Sequence, residues 1–132
     1  MTFRSNDEIN FEKEWYLNRF CSNYNFIIPG IAGKLLSYFK NNYSWEKIIT
    51  YAERRLSNGD LYRKLGFSFV HYTDINFWYT NGALTRHSRQ FVISLMKKED
   101  VEEGITQDQF MREKGYYKIY GCGNLKFELL NK

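Results

Sequence analysis

The chain has 132 residues, 43% of them apolar, and its 19 Lys and Arg exceed its 15 Asp and Glu by four. This length predicts one domain over residues 1–132. The mild positive excess permits contact with nucleic acid without requiring it. No run of 18 apolar residues occurs and the first fifteen residues lack the apolar core of a signal peptide, so we expect no membrane segment and a cytoplasmic location.

Cysteine and histidine usage argues against redox and metal chemistry. Cys21 and Cys122 lie far apart without a CxxC pair, so we expect two ordinary core thiols rather than a zinc knuckle or a reactive site. His71 and His87 lack the spacing of metal ligands, and no metal site is predicted. The high aromatic content, 19%, leaves two interpretations open. The rings fill a small core, or some of them lie on a surface and stack on bases or grip a partner.

The first half of the chain predicts strands alternating with helices. Residues 1–5 fit a short edge strand followed by a loop, and Trp15–Cys21 fits a buried strand. From Gly30 the apolar residues repeat at helical spacing up to Asn42. A strand at Trp45–Ala52 and a short helix that ends at Gly66 come next. This order is typical of a right-handed parallel crossover.

The second half favours antiparallel strands. Asn81 and Gly82 form a strong turn signal, and Arg89–Leu95 is predicted to be a strand because its apolar residues alternate. Gln107–Lys114 predicts one more helix. The fold class is therefore α/β of the α+β type, a mixed sheet with two to three helices. The remaining predicted strands are Phe67–His71, Ile75–Thr80, Tyr116–Tyr120 and Leu125–Leu130.

Three groups of residues are candidates for chemistry. The first is the turn that opens the first helix, where small residues let backbone amides approach a phosphate and a lysine adds a cation. Its members are Gly30, Ile31, Ala32, Gly33 and Lys34. The full P-loop pattern is absent, so a simple tight turn explains the same residues equally well.

The second group lies in the segment Tyr51–Phe67. Tyr62 is placed to protonate a leaving thiolate if its hydroxyl reaches a cleft, and Glu53 is placed to act as a base or to orient a nucleophile. The alternative is that Tyr62 packs in the core and Glu53 pairs with an arginine.

The third group is basic and aromatic. Cations on a common face would follow phosphates, and an aromatic ring would stack on an unpaired base. A solvated charged surface is the alternative interpretation. The members of this group are Arg54, Arg55, Arg63, Lys64, Trp78, Arg86 and Arg89.

The order of these elements resembles GNAT acyltransferases. In that family a strand leads into a glycine-containing turn that opens a helix, and a further strand precedes a helix ending in an LY-x-x-x-GF pattern. Here the last pattern is Leu61–Phe67, LYRKLGF. The turn is a weaker match, because GNAT proteins usually carry Gln or Arg ahead of the glycines.

A closer resemblance is to the GNAT-like C-terminal region of phage homing endonucleases that carry a Vsr-like nuclease domain. Those regions look like YADRRWSxGxLYxxLGF and end in GYxRIxDxGNxK. This chain has YAERRLSNGDLYRKLGF from Tyr51 and GYYKIYGCGNLKF from Gly115. The phage Mu DNA-adenine modification protein is similar more distantly.

The resemblance implies that residues 30–34 line an acyl-CoA pyrophosphate and that Tyr62 stands at the general-acid position. Glu53 replaces an Asp of the pattern, Leu56 a Trp and Gly121 an Asp. Met1-Thr2-Phe3 looks like the third strand of the family, so we expect the first strands of the fold, which form one wall of the acceptor site, to be missing.

Three functional hypotheses follow from this resemblance. The first is a phage or mobile-element protein that binds nucleic acid or a nucleoprotein partner in the host cytoplasm, with anti-defence inhibition as one role. The second is an acyltransferase that uses acetyl-CoA or another acyl-CoA to modify a nucleobase or a protein lysine. The third is a homodimer formed through the edge strand at residues 1–5.

Overall fold

The computed structural model describes residues 1–5, 13–82 and 85–132. The loop predicted after the first strand falls in the first gap, outside the described residues. The chain divides into two compact units, the first formed by Met1–Thr73 and Gly123–Lys132 and the second by Asp74–Cys122. A mixed five-stranded sheet, a two-stranded antiparallel sheet and helices make the fold α+β, as predicted.

The first unit is built on a five-stranded sheet with the order β1-β2-β3-β7-β4. β2 and β3 are parallel and every other neighbouring pair is antiparallel, so α1 is the predicted crossover helix. The bounds are β1 Thr2–Ser5, β2 Glu14–Arg19, α1 Ile31–Asn42, β3 Lys47–Glu53, α2 Asp60–Lys64, β4 Ser68–Tyr72 and β7 Asn124–Leu130.

Both helices of this unit pack on the same face of the sheet. Leu36 and Phe39 of α1 are buried against strand residues such as Ile48 and Phe127, and Tyr62 of α2 joins the same cluster. The predicted apolar stripe of α1 is therefore the face that is buried. Alternate strand residues point to the opposite face, which carries charged and hydroxyl groups.

The segment before α2 is held in a tight approach to the centre of the sheet. Gly59 is buried in a left-handed conformation with φ 80°, and its amide donates to Ser57 Oγ at 3.1 Å. A Cβ built on Gly59 would lie 2.6 Å from Cε2 of Phe127, which is fully buried on β7. Only glycine fits this position without displacing the Phe127 ring.

The second unit contains a two-stranded antiparallel sheet and two helices. Tyr79, Val92, Phe110 and Met111 form its own small core. In α4, Thr106 and Gln109 form a capping box that fixes the first turn. The elements are β5 Phe77–Thr80, α3 Arg89–Lys98, α4 Gln107–Glu113 and β6 Tyr117–Tyr120.

The first unit holds its own chain together at the point where the second unit is inserted. The amide of Thr73 donates to the carbonyl of Asn124 at 2.8 Å, and the amide of Asn124 donates to Thr73 Oγ1 at 2.9 Å. The last residue before the insertion is thus bonded to the second residue after it.

The predicted strand at Arg89–Leu95 is wrong, because these residues begin helix α3. Ser88 caps the helix by accepting a hydrogen bond from the amide of Phe91. Val92, Leu95 and Met96 recur at helical spacing and pack in the core of the second unit. Burial along this stripe outweighed the alternation of residues 91, 93 and 95, so the described residues contain four helices instead of two to three.

One further expectation is corrected. Cys21 and Cys122 are exposed rather than buried, since one lies in the loop after β2 and the other just before β7. The turn signal at Asn81 and Gly82 is confirmed, because Tyr79 and His87 on either side of it exchange two backbone hydrogen bonds. The main strand partner of β5 is β6, and the bridge from Tyr79 to His87 is isolated.

We expect Gly59→Ala to lower the free energy of unfolding by about 2–5 kcal/mol. The left-handed conformation costs a Cβ-bearing residue about 1–2 kcal/mol, and overpacking against Phe127 adds about 1–3 kcal/mol. Urea unfolding measures the change. Gly30→Ala is a matched control, because Gly30 has φ 72° and a Cβ there meets nothing within 4 Å. Equal losses in the two variants would contradict the assigned contact.

Candidate functional site

A groove opens in the first unit at the carboxyl end of parallel strand β2. Its volume is about 610 Å³, and it is lined by the loop between β2 and α1, by the start of α1, and by Leu61, Lys64 and Leu65. Carboxyl ends of parallel strands commonly form ligand sites, because the loops there are free of sheet hydrogen bonds. We call this cavity the turn groove.

The predicted phosphate turn forms one wall of the turn groove. Gly30, Ile31, Ala32 and Gly33 line it, whereas Lys34 is exposed and is not among the lining residues. The amide of Ile31 donates to the carbonyl of Ile28 at 3.3 Å, and that of Lys34 donates to Gly30 at 3.0 Å. These bonds leave the amides of Ala32 and Gly33 unused by the turn.

The opposite wall contains residues that sequence reasoning missed. Tyr24, Phe26, Ile27 and Ile28 line the groove, and their exposed fractions are 93%, 65%, 94% and 54%. The sequence analysis gave residues 23–28 no functional role. The apolar run Phe26–Ile28, directly before Pro29, was the signal in the sequence, but its pattern fits a buried segment equally well.

The basic residues of the first unit differ in their surroundings. The guanidinium of Arg54 lies 4.8 Å from the centre of the Tyr72 ring. Arg55 pairs with Glu53 at 3.1 Å, and Arg63 pairs with Asp60 at 3.2 Å. These exposed pairs are weak, since water screens them. Lys64 is exposed and lines the turn groove, and it has no ion pair within the described ranges.

The other predicted partner residues belong to the second unit. Trp78 is half-buried, and the guanidinium of Arg86 lies 5.3 Å from its ring centre. Arg89 is exposed in the first turn of α3. Tyr79 lies at the centre of this unit's core.

Tyr62 packs against the core, and Glu53 forms an ion pair with an arginine. The Tyr62 ring is half-buried against the core cluster, 5.6 Å from Phe127 and 5.9 Å from Phe67, and it does not line the turn groove. The Glu53 carboxylate is the partner of Arg55.

The net charge is concentrated in one unit. The first unit contains 12 Lys and Arg and 8 Asp and Glu, a difference of +4, whereas the second contains 7 of each. No Asp or Glu occurs between Glu14 and Glu46, a segment that includes Arg19, Lys34 and Lys40. The loop of the turn groove and helix α1 are therefore surrounded in sequence by positive charge alone.

Two perturbed pKa values lie on the face of the sheet away from the helices. Burial raises the pKa of the Tyr16 phenol above its ordinary 10.0, and its hydrogen bond to the Glu14 carboxylate at 3.1 Å adds to the effect. The hydrogen bond to Glu128, at 2.8 Å, raises the pKa of Lys126 above 10.5. Neither group belongs to the turn groove.

Among residues 1–5, 13–82 and 85–132, no His, Cys, Asp or Glu cluster is suited to hold a metal ion. In the same residues no helix combines the length and apolar character that crossing a bilayer requires. Comparisons with protein-family models, curated proteins and solved structures gave no match for the chain.

We expect stability to fall as the pH rises above about 10. Tyr16 and Lys126 both have folded-state pKa values above their ordinary ones, so their stabilisation is complete below the unfolded values and is lost as pH rises through the folded ones. Urea unfolding across this range measures it. Tyr16→Phe should lose less stability over the same pH interval, and an unchanged pH slope in that variant would contradict the assignment.

Proposed function

We propose that this chain is a phage or mobile-element protein that binds nucleic acid through the basic surface of its first unit, on a GNAT-like scaffold. We define this basic surface by the residues Arg54, Arg55, Arg63 and Lys64. Inhibition of a host nuclease, by competition for the same nucleic acid or nucleoprotein, is a role that such binding would serve. The sequence resemblance to phage DNA enzymes is the reason for proposing a phage or mobile-element origin.

The observation that carries this proposal is the charge of the turn groove and its surroundings. All of the net charge of +4 belongs to the first unit, and Lys64 lines the groove together with the exposed rings of Tyr24 and Phe26. Cations beside exposed aromatic rings are the combination that contacts phosphates and bases at the same time.

The arginines support binding in a second way. Arg55 forms a weak, exposed ion pair with Glu53, and Arg63 forms one with Asp60. Phosphate oxygens can therefore replace these carboxylates at a small cost in free energy. The Arg54 guanidinium lies over the Tyr72 ring, 4.8 Å from its centre, and this contact restricts the freedom of the side chain. Polyanion binding would then release counterions and depend steeply on salt.

We expect the chain to bind a short DNA duplex, and we expect its affinity to decrease as the salt concentration is raised from about 50 to 200 mM. Replacing Arg55 and Lys64 together by Gln should weaken binding and reduce the salt slope by about 0.9 for each phosphate that the variant no longer neutralises. Fluorescence anisotropy of labelled DNA measures both quantities.

The matched control replaces Lys97 and Lys98, two exposed lysines of the electrically neutral second unit, by Gln. It removes the same charge from the whole chain and should leave the slope close to that of the wild type. A slope that falls equally in both double variants, or binding without any salt dependence, would rule out the basic surface.

An acyl-CoA-dependent N-acyltransferase acting on a nucleobase or a protein lysine is the second candidate. Ala32 and Gly33, whose amides are unused by the turn, line a groove of about 610 Å³, and this favours it because free amides at the start of a helix suit an anionic pyrophosphate. The packing of the Tyr62 ring in the core counts against a general acid at that residue.

Calorimetry with acetyl-CoA separates the two functions. The acyltransferase hypothesis requires binding heat, and it requires Tyr62→Phe to reduce turnover without unfolding the chain, since the phenyl ring preserves the packing. Nucleic-acid binding alone predicts no heat with acetyl-CoA and an unchanged DNA affinity in Tyr62→Phe. Binding heat in the wild type, together with a loss of turnover of about 100-fold in Tyr62→Phe, the order expected for a general acid, would favour the enzyme.

A further inference from the structure

We propose that the loop 23–28 is an apolar wedge that inserts between neighbouring bases of the bound nucleic acid. This inference rests on the proposed function and specifies how the first unit would engage its ligand. It assigns a base-contacting role to Tyr24, Phe26 and Ile27, which lie outside the basic surface.

The first step is the exposure of this loop. Ile27 and Tyr24 are 94% and 93% exposed, and Phe26 is 65% exposed, in three of four consecutive positions. A single exposed apolar side chain needs no explanation, whereas a contiguous group marks an interaction surface.

The second step is that local bonds shape the loop before any ligand binds. The amide of Asn25 donates to Asn23 Oδ1 at 3.0 Å, and the amide of Phe26 donates to the Asn23 carbonyl at 3.3 Å. On the other side Pro29 fixes its own φ, and the amide of Ile31 closes a turn onto Ile28. Two turns therefore present the apolar side chains between them at a reduced ordering cost.

The third step identifies the occupant by charge. The loop lies in a stretch without any Asp or Glu from residue 15 to residue 45, and Lys64 borders the groove beside it. Proteins that kink DNA insert Phe, Ile or similar wedges between base steps while surrounding cations hold the phosphates. An apolar pocket on another protein would bury the side chains of the loop but would offer no anionic group to Lys64.

The test uses a DNA duplex in which 2-aminopurine replaces adenine at a TA step, the kind of step that unstacks most easily. Its fluorescence rises when the base leaves the stack. Wild-type protein should raise the signal on binding. The double variant Phe26→Ala/Ile27→Ala should abolish most of that rise and weaken binding about tenfold, in the range found for removing a stacking side chain, while the salt slope stays unchanged.

The matched control is Ile75→Ala/Leu130→Ala, which removes two apolar side chains that are 63% and 55% exposed elsewhere in the chain. It should behave as the wild type. Circular dichroism confirms that each variant is folded, which is expected because the substituted side chains are exposed.

The outcomes separate the wedge from the proposed function. If the wild type does not bind DNA at all, the proposed function fails and the wedge fails with it. If the wild type binds with a normal salt slope but without a rise in fluorescence, or if the rise persists in Phe26→Ala/Ile27→Ala, only the wedge is overturned. The loop would then be assigned to a protein partner.

Discussion

The packing of Phe127 against Gly59 is the contact on which the first unit depends. Phe127 lies on β7, between β3 and β4, and its register pairs it with Thr50 on one side and Phe69 on the other. Its ring also meets Tyr62 and the guanidinium of Arg63. One buried side chain thus joins the middle of the sheet to α2, and the side chain that requires a glycine is contributed by a strand near the opposite end of the chain.

This contact also determines where the basic residues lie. Because Gly59 is held against the sheet, α2 begins immediately after it and places Lys64 beside the start of α1. The start of α1 and the end of α2 are close together at Gly33, where a Cβ would lie 3.9 Å from the side chain of Leu65. The turn groove is consequently a product of core packing, and the loop after β2 supplies the remaining wall. The core contact and the proposed binding surface therefore meet at this corner of the unit, where the Arg63 guanidinium lies over the Phe127 ring.

The sequence predicted those elements whose pattern is local. The stripe of Ile31, Leu35, Leu36 and Phe39 indicated α1 because amphipathic helices are specified by residues within two or three turns. The α3 segment failed because Phe91, Ile93 and Leu95 satisfy a strand pattern while Val92, Leu95 and Met96 satisfy a helical one.

Features that depend on contacts between distant residues could not be predicted from the sequence pattern. The insertion of β7 between β3 and β4 depends on contacts between distant residues, and no change in composition marks the boundaries at Thr73 and Gly123. The sequence predicted some of the residues that line the candidate site and missed others. Gly30–Gly33 and Lys64 were identified from their chemistry, whereas Tyr24, Phe26 and Ile27 were not, because nothing in a short apolar run distinguishes a buried segment from an exposed one.

The bonds between Thr73 and Asn124 give the chain an architectural freedom. They clamp the two ends of the excursion formed by residues 74–122, so the first unit has only to close a loop at that neck. The entropy of closing a loop grows slowly, by roughly 0.6 kcal/mol for each doubling of its length. The first unit can therefore accept a longer or shorter insertion between Thr73 and Gly123 while its own sheet keeps its register.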